Sequence, residues 1–144
     1  MAWRGRQVLN GPMFYSHTTH GITISVEVEY LSDGRHSYGP DQYAWAYHIT
    51  MRNSSDEVVQ LRTRHWTITD GLGRVQTVDG EGVVGQTPRL HPGKAYSYTS
   101  GCPLPTPHGT MSGHYVFLTE DGTPWKVIIP EFSLDVPDPG RVLN

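Results

Sequence analysis

The stretch Gly80-Glu81-Gly82-Val83-Val84-Gly85 has the glycine spacing of a dinucleotide-binding loop, and residues that read as a strand precede it. In such a loop the glycines let the backbone approach a pyrophosphate, whose charge meets the amino end of the helix that follows. Here residues 86–93 are QTPRLHPG, and Pro88 and Pro92 leave no room for that helix. The acidic residue that would hold a ribose about 20 positions further on is missing, because that region reads PLPTPHG. The same letters approach a P-loop, with Gln86-Thr87 where Lys-Ser or Lys-Thr is required. Losing that lysine removes a charge-assisted contact of about 1.5–3 kcal/mol, and Glu81 adds a charge that repels an anion. Two readings remain. The amides of Gly80, Gly82 and Gly85 form a small anion nest helped by Arg74 or Arg89, or the glycines supply positive φ for a tight connection between strands. Glu81 favours the structural reading.

Other chemistry-bearing residues assemble into less. Of eight histidines only His17-Thr18-Thr19-His20 has a suggestive local spacing, and it lacks the further ligands of a tetrahedral set. The fourteen acidic residues are scattered, whereas magnesium prefers clustered carboxylates. Cys102 lies between Gly101 and Pro103 and reads as a small buried side chain. There is no G-x-S-x-G elbow to support a serine nucleophile. Neither a catalytic set, a metal site nor a cofactor is expected.

The elements that must position these residues are strands. ITISVEVEY (22–30) alternates strictly, with Ile22, Ile24, Val26, Val28 and Tyr30 on one side. YAWAYHITMRN (43–53) alternates again, placing Tyr43, Trp45, Tyr47, Ile49 and Met51 inward. The connection between them, residues 31–42, is long for a hairpin and marks a candidate functional loop. In residues 58–69 the apolar phase is odd at Val59 and Leu61 but even at Trp66 and Ile68, which predicts a bulge between Arg62 and His65. Asp70-Gly71-Leu72-Gly73 reads as a turn into RVQTVD, followed later by AYSYTSG, TMSGHYVFL and WKVIIPEFSL. Pro130 shifts the apolar phase of the last run from Trp125, Val127 and Ile129 to Phe132 and Leu134, as an edge strand that bends would require. Trp45, Trp66 and Trp125 fall in phase with apolar faces and read as core. About seven antiparallel strands predict an all-β sandwich of the immunoglobulin or fibronectin type III kind, with a small barrel as the competing architecture.

At 144 residues one domain spanning 1–144 is expected, with 1–13 a flexible N-terminal segment. Charged residues are only 17%, and the 16 glycines and 11 prolines are too many for a helical bundle. A net charge of -3 with two lysines supplies no basic field for nucleic acid or anionic lipid. No run of about 18 apolar residues marks a membrane span, and the lone cysteine permits no internal disulfide. A soluble cytoplasmic protein is expected.

Several motifs in one order carry a resemblance. They are Arg64-His65-Trp66, the glycine stretch with Pro88, His91-Pro92-Gly93, Tyr96–Gly101, Gly109–Tyr115, Ile129–Leu134 and a closing Leu143-Asn144. In these residues the chain resembles the ApaG family of small bacterial proteins, whose domain also occurs in some eukaryotic F-box proteins and in a polymerase delta-interacting protein. The resemblance implies a fibronectin type III-like sandwich and a link to cobalt and magnesium tolerance or efflux, and it supplies no catalytic residues to carry over. A non-enzymatic binding or regulatory module with a protein partner is therefore expected, with a homodimer through an exposed sheet edge as a further association. The alternative is a sensor of pyrophosphate or a phosphate-bearing metabolite that uses Gly80–Gly85.

Overall fold

The computed structural model describes residues 13–31 and 42–137. The N-terminal segment and nearly all of the long 31–42 connection lie outside the described residues, as does Leu143-Asn144.

Nine strands form two antiparallel sheets with no helix among the described residues. One sheet joins β1 (Met13–Thr19), β2 (Ile22–Tyr30), β3 (Tyr43–Asn53) and β7 (Ala95–Leu104) in the order β1-β2-β3-β7. The second joins β5 (Val75–Glu81), β4 (Val59–Asp70), β8 (His108–Thr119) and β9 (Pro124–Asp135) in the order β5-β4-β8-β9, with the two-residue β6 (Arg89–Leu90) beside the start of β4. The sandwich expected from sequence is the fold observed. Two strands exceed the count of seven. β1 escaped because its side chains are mostly exposed and show no apolar alternation, and β6 because two residues carry no pattern.

Alternation becomes packing as the sequence requires. Ile22, Ile24, Val26 and Val28 of β2 and Trp45, Tyr47, Ile49 and Met51 of β3 face Leu61, Trp66, Tyr115, Phe117, Val127 and Phe132 across the interior. Both expected irregularities are present. The register between β4 and β8 slips between Leu61 and Thr63, so Arg62 is the extra residue that lets Leu61 and Trp66 both point inward. Between β8 and β9 the slip lies opposite Pro130-Glu131, and Ile129 and Phe132 are both buried as a result. Trp45 and Trp66 are core residues, while Trp125 is half-buried and stacks under His20 with ring centroids 4.9 Å apart.

The sandwich has two unlike sides. On one, β1 packs against β9, and side chains of β1 cap backbone groups of β9. Thr19 Oγ1 accepts the Ile128 amide at 3.2 Å, and the Tyr15 hydroxyl accepts the Ser133 amide at 3.3 Å. On the other, β5 and β7 end their sheets without pairing to each other, and no comparable packing joins them.

The turn at Asp70 carries a test of the acid side of stability. Burial works to raise the Asp70 carboxyl, but hydrogen bonds from the Arg74 and Leu72 amides and the Arg74 guanidinium outweigh it and hold it below the usual range. The Asp121 carboxyl is also lowered, chiefly by hydrogen bonds from Thr119 and Thr123. Such groups stabilise the fold above their unfolded pKa of about 3.9 and lose that contribution as pH falls through the lower folded value. His114 acts in a higher window. Burial lowers it first, Lys126 and His65 add to this, and Asp79 opposes. Stability is therefore expected to fall in two steps on acidification, one beginning below pH about 6.5 and one below about 4. In urea titrations at fixed pH, His114→Gln should flatten the first step and Asp70→Asn should reduce the second; an unchanged profile in both would refute the assignment.

Candidate functional site

The glycine stretch is a hairpin. Gly80 and Glu81 end β5, and Val83 and Gln86 then exchange two backbone hydrogen bonds of 2.8 Å around Val84-Gly85. Positive φ at both central residues, 41° at Val84 and 79° at Gly85, makes this a type I′ turn. Valine is a poor residue for a left-handed conformation, so the tip is strained, and Val84 is 58% exposed there. No helix begins at Gln86. The chain goes on extended into β6.

Each glycine has its own reason. Gly85 supplies the second positive φ of the turn. Gly82 has φ 65°, and a Cβ there would lie 2.3 Å from the Gln86 carbonyl oxygen. Gly80 sits inside the strand, where a Cβ would meet the Arg64 guanidinium at 2.6 Å. Of the loop amides, those of Gly82, Val83 and Gln86 donate internally.

The two arginines proposed to assist the loop are each paired with a carboxylate outside it. Arg74 is at the opposite end of β5 and pairs with Asp70 at 2.7 Å. Arg89 is on β6 and pairs with Glu120 at 2.8 Å. The cation at the glycine loop is Arg64, whose Nη1 donates to the carbonyls of Glu81 at 3.1 Å and Gly82 at 2.8 Å. Sequence reasoning assigned it no role, although its parity with Trp66 places it on the inward face after the bulge.

Arg64 stands opposite Tyr115 on β8 and Gly80 on β5. Beneath it the Tyr98 and Tyr115 hydroxyls are 2.5 Å apart, and Tyr47 stands opposite Ser100 in the β3–β7 register. Burial pushes all three phenols up, so they remain neutral, while the Arg64 charge acts on each in the opposite sense. Cys102 on the same strand is buried, and burial pushes its thiol up to about 11, which makes it a poor nucleophile.

This group lies on the open side of the sandwich, whose two strand edges follow a simple rule. The hydrogen bonds Asp70 N to Arg74 O and Gly82 N to Arg62 O fix the even-numbered residues of β5 as the ones bonded to β4. The backbone groups of Val75, Thr77, Asp79 and Glu81 therefore point away from the sheet. In β7 the bond from Asn53 N to Lys94 O fixes the same parity, so Ala95, Ser97, Thr99, Gly101 and Pro103 face outward. Pro103 agrees, since proline has no amide to spend on a ladder. Between the two edges, away from the glycine loop, lies a cavity of about 240 Å³ lined by Ile68, Arg74, Gln76 and Leu104.

The outer face of the second sheet holds another constellation. His65 Nδ1 is 2.6 Å from Asp79 Oδ1, Thr67 Oγ1 is 3.5 Å from His65 Nε2, and His114 stacks on His65. The order is that of a nucleophile, base and acid, but the hydroxyl is at the limit of a hydrogen bond and the face is open to solvent. His20 of the His17–His20 pair stacks on Trp125, and no group of three or more His, Cys, Asp or Glu side chains placed to hold a metal ion is present among the described residues.

Comparison with known proteins decides the family. The ApaG domain model matches residues 34–119. Protein ApaG of Mesorhizobium japonicum is 49% identical over 130 residues, covering 90% of this chain and 99% of its own length. The chain belongs to the ApaG family. Protein ApaG of Paramagnetospirillum magneticum is 50% identical with the same coverage. The crystal structure of the putative ApaA protein from Bordetella pertussis is similar with a TM-score of 0.74 and 47% identity, over 81% of this chain and 94% of that one. The ApaG motifs read from sequence that lie among the described residues fall into four places in the fold: the β5 hairpin with the Arg64 segment of β4, the β6–β7 connection at His91-Pro92-Gly93, the β7 edge, and the β8–β9 pair.

Proposed function

We propose that this ApaG-family chain is a non-enzymatic binding module that takes up an extended segment of a partner protein on the open side between β5 and β7. One observation carries this reading. The β1 and β9 edges are packed together and capped by side chains, whereas β5 and β7 present rows of backbone groups with no hydrogen-bond partner in either sheet. Such edges bind extended peptides by adding a strand, with main-chain bonds giving affinity. We further propose that this recruitment takes place in the cytoplasm, as the sequence reading expects, and that it serves cobalt and magnesium homeostasis, as the family resemblance implies.

Selection of a displayed random-peptide library on the full chain tests it. Thr77→Pro and Thr99→Pro each remove one outward amide and none of the bonds within the sheets. Selected peptides are expected to lose tenfold or more in affinity for at least one of these variants, measured by fluorescence anisotropy. Equal binding to both variants would place recognition away from the edges.

The phosphate-sensor alternative has a separate test. With the Gly82, Val83 and Gln86 amides engaged and Arg74 and Arg89 paired elsewhere, pyrophosphate at millimolar concentration is expected to leave the Gly80–Gly85 amide signals unshifted in nuclear magnetic resonance titrations. Saturable shifts there would favour the sensor.

A further inference from the structure

We propose that Arg64 receives a carboxylate from the bound segment, so that the open side selects an acidic extended peptide. This deepens the recruitment reading and rests on it.

Among the described residues no carboxylate compensates the charge of Arg64. Arg74 and Arg89 each have a carboxylate partner, but Arg64, half-buried on the inner face of its sheet, meets only two backbone carbonyls among the described residues. A partly desolvated charge without a counter-ion is costly, and a carboxylate supplied by a ligand would relieve that cost.

Its remaining nitrogens are available. Among the described residues only Nη1 is engaged, and no fully buried side-chain nitrogen or oxygen lacks a hydrogen-bond partner, so Nη2 and Nε each keep some contact with solvent. Gly80 has no side chain to cover the guanidinium, which lies over it toward the free edge of β5. Both loop carbonyls hold the group in place. A fixed guanidinium with two free donor sites matches the two oxygens of a carboxylate.

The surroundings favour one negative charge and no second positive one. Tyr98 and Tyr115 are neutral hydroxyls bonded to each other, and the acidic groups on either side of Gly80, Asp79 and Glu81, belong to the outer face because their register partners His65 and Thr63 do. A peptide lying along β5 would bring alternate side chains to the inner face, one of them at the level of Gly80.

The probes are a library-selected peptide and its copy with every carboxylate converted to an amide. Wild-type protein is expected to bind the acidic form at least tenfold more tightly. Arg64→Met should abolish that preference, and Gly80→Ala should weaken it about threefold or more by pushing the guanidinium aside while keeping its charge. Gly80→Ala also guards against misfolding of Arg64→Met, since the added methyl meets only the far end of a flexible side chain. Equal binding of the acidic and amidated peptides by wild-type protein would overturn the carboxylate assignment, as would an acid preference that survives both substitutions. Binding that remains sensitive to Thr77→Pro but indifferent to charge would leave recruitment standing and remove only Arg64 from it.

Discussion

Trp66→Ala is expected to lower the unfolding free energy by about 3–5 kcal/mol, the range for deleting a large buried aromatic side chain. Trp66 lies on β4, the strand between β5 and β8, and it is 3% exposed. Its ring meets Tyr47 of the opposite sheet at 5.4 Å between centroids, Phe132 at 5.9 Å and Tyr115 at 6.5 Å, all with edge-on geometry. Two of those partners are completely or almost completely buried, so the cavity left behind has rigid walls and cannot collapse cheaply. Since a domain of this size has about 5–15 kcal/mol in total, the variant should unfold at much lower urea and at a reduced melting temperature. A loss below about 1 kcal/mol would mean that the two sheets do not meet through Trp66.

Gly113→Ala is expected to be nearly as damaging although it adds one methyl group. Gly113 is directly opposite Trp66, where β8 shifts its register against β9. A Cβ there would lie 2.0 Å from the His65 carbonyl oxygen and 3.2 Å from the Trp66 Cα. Both obstacles are backbone, so relief requires β4 and β8 to move apart along the middle of the second sheet. Overpacking of this kind costs about 3 kcal/mol. By contrast, Gly122→Ala meets no atom within 4 Å and differs only in its φ of 87°, so its cost should be limited to the left-handed strain of about 1–2 kcal/mol. Denaturation of the two variants side by side separates steric from conformational cost; equal losses would contradict the close approach of the strands.

Much of this fold was legible because strand alternation writes burial into the sequence. The change of apolar parity between Leu61 and Trp66 located the Arg62 bulge, and the shift at Pro130 located the second one. The fate of the glycine stretch was legible too, since Pro88 and Pro92 forbid the helix that nucleotide binding needs. What could not be read was adjacency. β5 and β7 belong to different sheets, and only the strand orders reveal that they end on the same side and stay unpaired. Arg74 seemed close to the glycine loop in sequence, but β5 is extended, and its seven residues separate the two by about 20 Å. Arg64 is distant in sequence from Gly80, Tyr98 and Tyr115, and register alone brings it among them.

Amide hydrogen exchange, followed residue by residue in dilute protein without partner, probes the open edges most directly. Thr77 and Thr99 should exchange far faster than Val78 and Ser100, their neighbours bonded within the sheets, because their amides point into solvent. Addition of a selected peptide should then slow one or both. Protection of Thr77 and Thr99 equal to that of their neighbours in dilute protein would contradict the open side, since those edges would already be covered.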